Sequence, residues 1–390
     1  MTALADPATL LLALCGLCAF AVIYPYLLYP LVLSWMPPRP LKPLEPTQPA
    51  ERQPRLSLAF CAYNEEAVLS EKIANLRRLV AQDPRLEILA YSDGSSDATA
   101  RLLQAEEDWI TVVASAQRLG KSHGMNSLVQ AASGDYVLFT DANVMVEPSA
   151  LMAVRRAFRD LEVGCVCGRL VYSNPEEGAT AATGALYWRL EERIKAAESR
   201  CGSTMGADGS LFAVRRRLYP KVPADIIDDM YVSLSILCAG YRVVSVPDVL
   251  AHERMTTDSG DEFRRKVRIA CQAFNCHRLL WPRMRRLPAL DRFKYLSHKL
   301  LRWFGIYFLL LGLAAGTAWL WLVGLGPWAL WLPLLLVAAY GLGRSRWVPP
   351  LAGPVEILRA LAATGLGLLK ARQGQRFQTW ELPQSSRKTG

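Results

Sequence analysis

Acidic residues are almost missing from residues 264 to 302, where twelve lysines and arginines face Asp291 alone. That local excess of eleven outweighs the net charge of +10 for the whole chain, so the remainder is close to neutral. Neither a groove-reading motif nor an aromatic stacking platform accompanies the cluster, which argues against a nucleic-acid partner. Placed just before apolar segments, it suits anionic membrane lipids instead. Charge of either sign is absent from residues 8 to 35, a run longer than the roughly 20 residues that cross a bilayer. The run lacks a basic n-region and a small-residue cleavage site and ends in PPRPLKPLEP, which argues against a secretory signal peptide. Nine cysteines fall at no metal-ligand spacing and read as small core residues of a reducing compartment.

What is present divides the chain into six parts. Residues 1–36 read as an N-terminal transmembrane helix and 37–55 as a Pro-rich linker. Residues 56–282 read as a catalytic domain, 283–302 as a basic juxtamembrane segment and 303–343 as a transmembrane hairpin broken at Gly-Pro. Residues 344–390 contain an apolar stretch, 351–369, interrupted by Glu356 and Arg359 and followed by a basic tail. An interfacial or re-entrant helix there keeps that tail on the same side as the other basic flanks. Lys and Arg follow the first apolar run and precede the second, so the large middle region is expected in the cytoplasm.

Within that region LSLAFCA, LEILAY, ITVVAS and DYVLFT read as strands, and residues 65 to 80 carry apolar side chains at helical spacing. The alternation predicts an α/β domain with a mostly parallel sheet covered on both faces. Ligands of such sheets gather beyond the carboxyl ends of the strands. Those ends read Ala62-Tyr63-Asn64-Glu65, Ser92-Asp93-Gly94 and Thr140-Asp141-Ala142-Asn143. Between them RLGKSHGMN places Arg118, Lys121 and Asn126 around a loop-to-helix junction suited to phosphate. Farther on come the polar turn GADGS, from Gly206 to Ser210, and a helix front holding Asp225, Asp228 and Asp229. Asp225 reads as a cap, while two adjacent carboxylates exceed what a cap requires. Asp97 reads as a capping residue after its turn, and Arg77, Arg78 and residues 189–200 as solvated helical faces.

AYNE, SDGSSD, RLGK, TDAN, GADGS, DD and RRKVR, in that order, resemble an inverting family 2 glycosyltransferase with the GT-A fold, over residues 56 to 282. With flanking apolar segments the chain resembles bacterial inner-membrane enzymes that build extracellular polysaccharide or glycolipid. The resemblance implies that Ala62, Tyr63, Glu65 and Asp93 hold the nucleoside of a nucleotide-sugar donor, with Lys121 a cation near it. Asp141 matches the first Asp of the DxD motif, which binds Mg2+ or Mn2+ through the diphosphate, and Asn143 replaces the second. Gly206 and Asp208 fall on the acceptor side. Asp229 matches the general base, with Asp228 in place of the usual Glu. His252 is either a further metal ligand or a turn cap.

Arg265 and Arg268, at i and i+3 in a helix read to begin at Glu262, suit a diphosphate leaving group. They stand where processive synthases of cellulose, chitin and hyaluronan carry QxxRW, so addition of one or a few sugars is as well supported as chain building. The acceptor is expected to be lipid-linked or a growing glycan, with an export partner or homo-oligomer completing any path across the membrane. Trp380 resembles part of a C-terminal tail that packs near the active site of related enzymes. A second class stays open: a degenerate GT-A scaffold that senses a nucleotide without transferring sugar.

Overall fold

The computed structural model describes residues 6–44, 54–174, 176–345 and 348–380. The N-terminal run breaks into α1 (Pro7–Ile23) and α2 (Leu28–Ser34), inclined by 60°. One continuous helix over 8–35 was the expectation. Pro25, in the break, has no N–H to carry the ladder on, and the bend lets α2 bury Tyr29 and Leu33 against the catalytic domain. Part of the Pro-rich linker, 45–53, and the end of the basic tail, 381–390, lie outside the described residues.

The domain then runs β1 (Leu56–Ala62), α3 (Glu66–Gln82), β2 (Glu87–Asp93), α4 (Thr99–Gln104), β3 (Ile110–Ser115), α5 (Lys121–Ala131) and β4 (Tyr136–Asp141). It continues with β5 (Met145–Val146), α6 (Ser149–Phe158), β6 (Val163–Tyr172), α7 (Ala179–Arg200), β7 (Leu211–Arg215), α8 (Asp228–Cys238) and β8 (Arg242–Glu253). All eight strands join one sheet in the order β3-β2-β1-β4-β7-β6-β8-β5. The first four are parallel, β7 runs against both its neighbours, and β6 and β8 are parallel again. Every residue of β1 is buried, because Leu58 and Phe60 face one apolar core and Ala59 and Cys61 the other. Register does the rest: Cys61 pairs with Asp141, Ala62 with Ser92 and Asp93 with Ser115, so the polar tips emerge on one edge.

Downstream lie α9 (Ser259–Met284), α10 (Ala289–Tyr295), a π-helical turn at Leu296–Leu300, and α11 (Leu301–Trp303). The α9 helix begins earlier than Glu262 because the Asp258 side chain caps it, accepting from Asp261 N at 2.7 Å. Three helices follow that are long and apolar enough to cross a membrane: α12 (Gly305–Leu322), α13 (Gly326–Arg344) and α14 (Pro349–Arg372). Small residues bring them together. A Cβ on Gly312 would lie 3.0 Å from Cys18 of α1, and one on Gly367 would lie 2.6 Å from both Ala270 Cβ and Val267 O of α9.

Residues 189–200 form a solvated face only in part, with Arg189, Arg193 and Arg200 exposed. Glu191, Lys195 and Glu198 of α7 are buried, because this helix forms the seam between the catalytic domain and the apolar helices. His298, fully buried, places Nδ1 2.9 Å from Glu198 and Nε2 3.1 Å from Glu191. Lys299 and Arg302 reach Glu191 at 2.9 and 2.7 Å, and Tyr29 donates to Glu198 at 2.6 Å.

Glu198 also accepts from Thr204 Oγ1 and Met205 N at 3.0 and 2.9 Å, so Glu198→Ala leaves several buried donors without an acceptor. Its expected cost is about 3–5 kcal/mol of unfolding free energy. Glu162→Ala, at the exposed pair with Arg39, is expected to cost about 0–1 kcal/mol. Denaturant midpoints of the two variants in the same detergent test the difference.

Candidate active site

Asp93 ends β2 with no solvent exposure. Its carboxylate accepts from Leu119 N at 2.7 Å and from Gly120 N at 3.0 and 3.1 Å to its two oxygens. Here the side chain holds the loop that starts α5. Glu65 is also buried, and its backbone N–H donates to Thr99 Oγ1 at 2.8 Å. Asp97 accepts from Glu66 N in the first turn of α3 and from Thr99 N, so it does cap and tie the turn. Ala62 is buried at the tip of β1, and Tyr63 beside it is partly open.

The Asp93-held loop delivers Lys121 to the centre of the edge. Its ammonium lies 2.7 Å from Asp141 Oδ1 and 3.7 Å from Asp228 Oδ2, and donates to Gly209 O at 3.2 Å. Burial pulls its pKa down, but the two carboxylates outweigh that and hold it above the usual lysine value. Asp141 Oδ2 accepts from Ser210 Oγ at 3.2 Å. Asp229 lies in the first turn of α8, where a Cβ on Gly209 would come 2.9 Å from its Oδ2. Burial, then Asp228, then Asp208 push the Asp229 carboxyl up to about 7. Among the described residues, the buried Asp208 Oδ2 and Asp228 Oδ2 accept no hydrogen bond, leaving lone pairs turned toward whatever fills the site.

Arg265 and Arg268 project from α9 toward this group. Arg268 donates to Gln272 at 3.0 Å; burial and Arg265 lower its pKa to about 10, while Asp228, Asp141 and Asp229 oppose the shift. Arg265 contacts Glu262 at 3.5 Å and is held up by Glu262 and Glu253 against its burial. Gly206 adopts φ +107°, and Lys195 pairs with Glu192 at 3.1 Å within electrostatic reach of Asp208.

His252 does not join Asp141. Its Nε2 contacts Glu147 at 2.8 Å, while the next residue, Glu253, receives Asn143 Nδ2 at 3.2 Å. Alternation along β8 explains the exchange: adjacent side chains leave a strand on opposite faces. Glu253 was therefore the acid to single out, and strand parity was the available signal. Asp225 does not cap α8 either; Arg376 from the tail holds it at 2.7 Å. That tail crosses the nucleotide end of the edge. Gln272 and Asn275 of α9 donate to Phe377 O and Gln375 O, and Gln378 donates to Leu119 O at 3.1 Å. Arg118 donates to Trp380 O and lies 3.7 Å over the Tyr63 ring, which Trp380 meets edge-on at 6.1 Å. Gly120, at φ +92°, leaves the room that the Gln378 carbonyl occupies.

Residues 57–222 match the family description Glycosyl transferase family 2. That match shows a glycosyltransferase family 2 domain in this chain. Over 260 residues it is 27% identical to an N-acetylglucosaminyltransferase of Rhizobium leguminosarum bv. viciae, covering 62% of this chain and 60% of that one. Over 310 residues it is 24% identical to an N-acetylglucosaminyltransferase of Mesorhizobium japonicum, covering 74% and 70%. The chain thus spans about 60% of the length of the Rhizobium relative. A mannosyltransferase of Pyrobaculum calidifontis, solved with GDP-Man and Mn2+, superposes with a TM-score of 0.71 over 94% of this chain and 99% of its own, at 23% identity. That likeness establishes the GT-A fold for this chain, with the apolar helices included in the match.

The raised Asp229 pKa carries a stability signature. An unfolded Asp ionises near 3.8, whereas the folded one keeps its proton to about 7, so the folded state binds the extra proton and stability falls as pH rises from about 4 to 7. Asp229→Asn is expected to remove that decline, gaining on the order of a few kcal/mol at pH 8 relative to the parent. Urea midpoints of both proteins at pH 5 and pH 8 measure it; parallel changes would show that Asp229 titrates normally.

Proposed function

We propose that the chain transfers a sugar, with inversion, from a nucleotide-diphosphate donor to a lipid-linked or glycan acceptor at the cytoplasmic face of a bacterial inner membrane. The observation that carries this reading is the Asp229 carboxylate, held against Gly209 with its pKa near neutrality, beside a lysine and two arginines. A carboxylate of that pKa can take the proton of an acceptor hydroxyl near pH 7. As that oxygen bonds to the anomeric carbon, the bond from the carbon to the donor phosphate oxygen breaks on the opposite face. The electron pair goes to the diphosphate, whose charge meets Lys121, Arg268 and Arg265. The lone pairs of Asp208 and Asp228 suit hydroxyls of the two sugars.

No three His, Cys, Asp or Glu side chains among the described residues stand together as a complete metal cage. Asp141 and the amide oxygen of Asn143 are oxygen donors of the kind that would hold Mg2+ or Mn2+ beside a donor diphosphate. Such an ion would add positive charge at the leaving diphosphate. Lys121, now paired with Asp141, would then turn toward phosphate. The Tyr63, Arg118 and Trp380 stack suits a nucleobase, and the names of the rhizobial relatives make a uridine-diphosphate N-acetylglucosamine the first donor to test, with GDP-mannose second.

Asp229→Asn is expected to lower transfer at least a thousandfold while donor binding stays within about threefold; a panel of nucleotide sugars with membrane extracts supplies the assay. Donor binding without turnover in the parent would favour a nucleotide sensor. For the parent, kcat is expected to climb with pH through about 7, and Asp208→Asn, which removes a neighbouring negative charge, to move that midpoint lower. Trp380→Ala should raise the donor KM severalfold with a smaller change in kcat. An unchanged KM would remove the tail from the donor pocket.

A further inference from the structure

Where α9, α12 and α14 meet, away from the catalytic edge, they form a half-open pocket of about 470 Å3. Its walls are apolar: Phe274 from α9, Phe304 and Tyr307 at the start of α12, and Leu368 near the end of α14. Two guanidinium groups complete the lining, Arg278 and Arg372. Neither has a carboxylate partner among the described residues, and the one contact of Arg278 is a 3.5 Å bond to Ala371 O. Both guanidinium groups are exposed, and two like charges beside one small pocket repel while its hydrocarbon walls offer them no acceptor. The complementary occupant has anionic oxygens at one end and hydrocarbon at the other.

Position narrows the choice. The pocket lies at the first turn of α12 and the last turn of α14, the ends at which two membrane-length helices reach the catalytic domain. Basic pockets at that level hold the head groups of anionic lipids. A phosphate bound here is not the nucleophile of the transfer reaction. Arg278 lies ten residues beyond Arg268 on α9, about 15 Å along the axis, and the tail from Gln375 to Phe377 rests on the helix between them. We propose that the pocket is a binding site for an anionic phospholipid of the surrounding bilayer, held by Arg278 and Arg372 at the base of the tail that covers the donor pocket. The inference rests on the membrane placement proposed above and does not depend on sugar transfer.

The full chain, purified in neutral detergent and exchanged into nanodiscs of phosphatidylcholine containing phosphatidylglycerol, is examined by native mass spectrometry for retained lipid. The parent is expected to retain phosphatidylglycerol at least fivefold over phosphatidylcholine. Arg278→Gln with Arg372→Gln is expected to abolish the preference, whereas Arg77→Gln with Arg78→Gln, an equal charge loss on an exposed face of α3 outside the basic cluster, leaves it intact. Arg372→Gln alone, at an exposed helix end, gives an intermediate loss and serves if the double variant fails to fold. Equal loss in both double variants, or no preference in the parent, overturns the site. Displacement by millimolar inorganic phosphate would make it a plain phosphate site, and stronger retention of undecaprenyl phosphate would make the occupant an acceptor lipid; either overturns the assignment. Release of the parent from membranes by alkaline carbonate would overturn the membrane placement itself, separating that failure from loss of lipid selectivity in an embedded protein.

Discussion

Carboxylates crowded at one buried sheet edge are the constraint around which this molecule is arranged. Asp141, Asp208, Asp228 and Asp229 converge from β4, the loop before β7 and the first turn of α8. Left alone, like charges in a poorly hydrated site would oppose folding. Lys121 answers two of them directly, and Arg268 and Arg265 face the group from α9. Compensation is incomplete, and the residue is visible in Asp229, whose carboxyl holds its proton to about 7. The same imbalance that costs stability would poise the proposed base for work near neutral pH.

That arrangement depends on two tethers. Asp93 is spent on the N–H groups of Leu119 and Gly120, which fixes where α5 begins and hence where the Lys121 ammonium reaches. The second tether ties the site to the apolar helices. Glu191 and Glu198 bind His298, Lys299, Arg302 and Tyr29, while Lys294 donates to three carbonyls around the end of α7. Through these bonds the turn carrying Gly206 and Asp208 keeps a set position relative to the helices that precede α12. An acceptor arriving from the membrane side would meet an entrance already ordered.

Much of the fold was legible because it is written in short-range pattern. The four parallel strands, the α3 amphipathic face and the polar tips each follow from local alternation or helical spacing, and the resemblance added the order of the motifs. The misreadings share a cause. Glu191, Lys195 and Glu198 look solvated because Glu and Lys usually are, yet their side of α7 is buried, with partners from α2 and the π-helical turn. Asp225 stands where a cap belongs and is taken by Arg376 from the far end of the chain.

By itself the sequence determined which segments are apolar enough for a membrane, where the excess positive charge lies, and that acids end the strands, since each is a property of neighbours in the chain. Tertiary structure alone decided which acids face one another, that Asp93 is consumed by a loop, that the first apolar run bends by 60°, and that Trp380 returns to Tyr63 and Arg118. Charge and periodicity are carried by single residues and short spans. The proton affinity of Asp229 and the pairing of Glu191 and Glu198 arise from burial and from partners distant in sequence, and those exist only once the chain has packed.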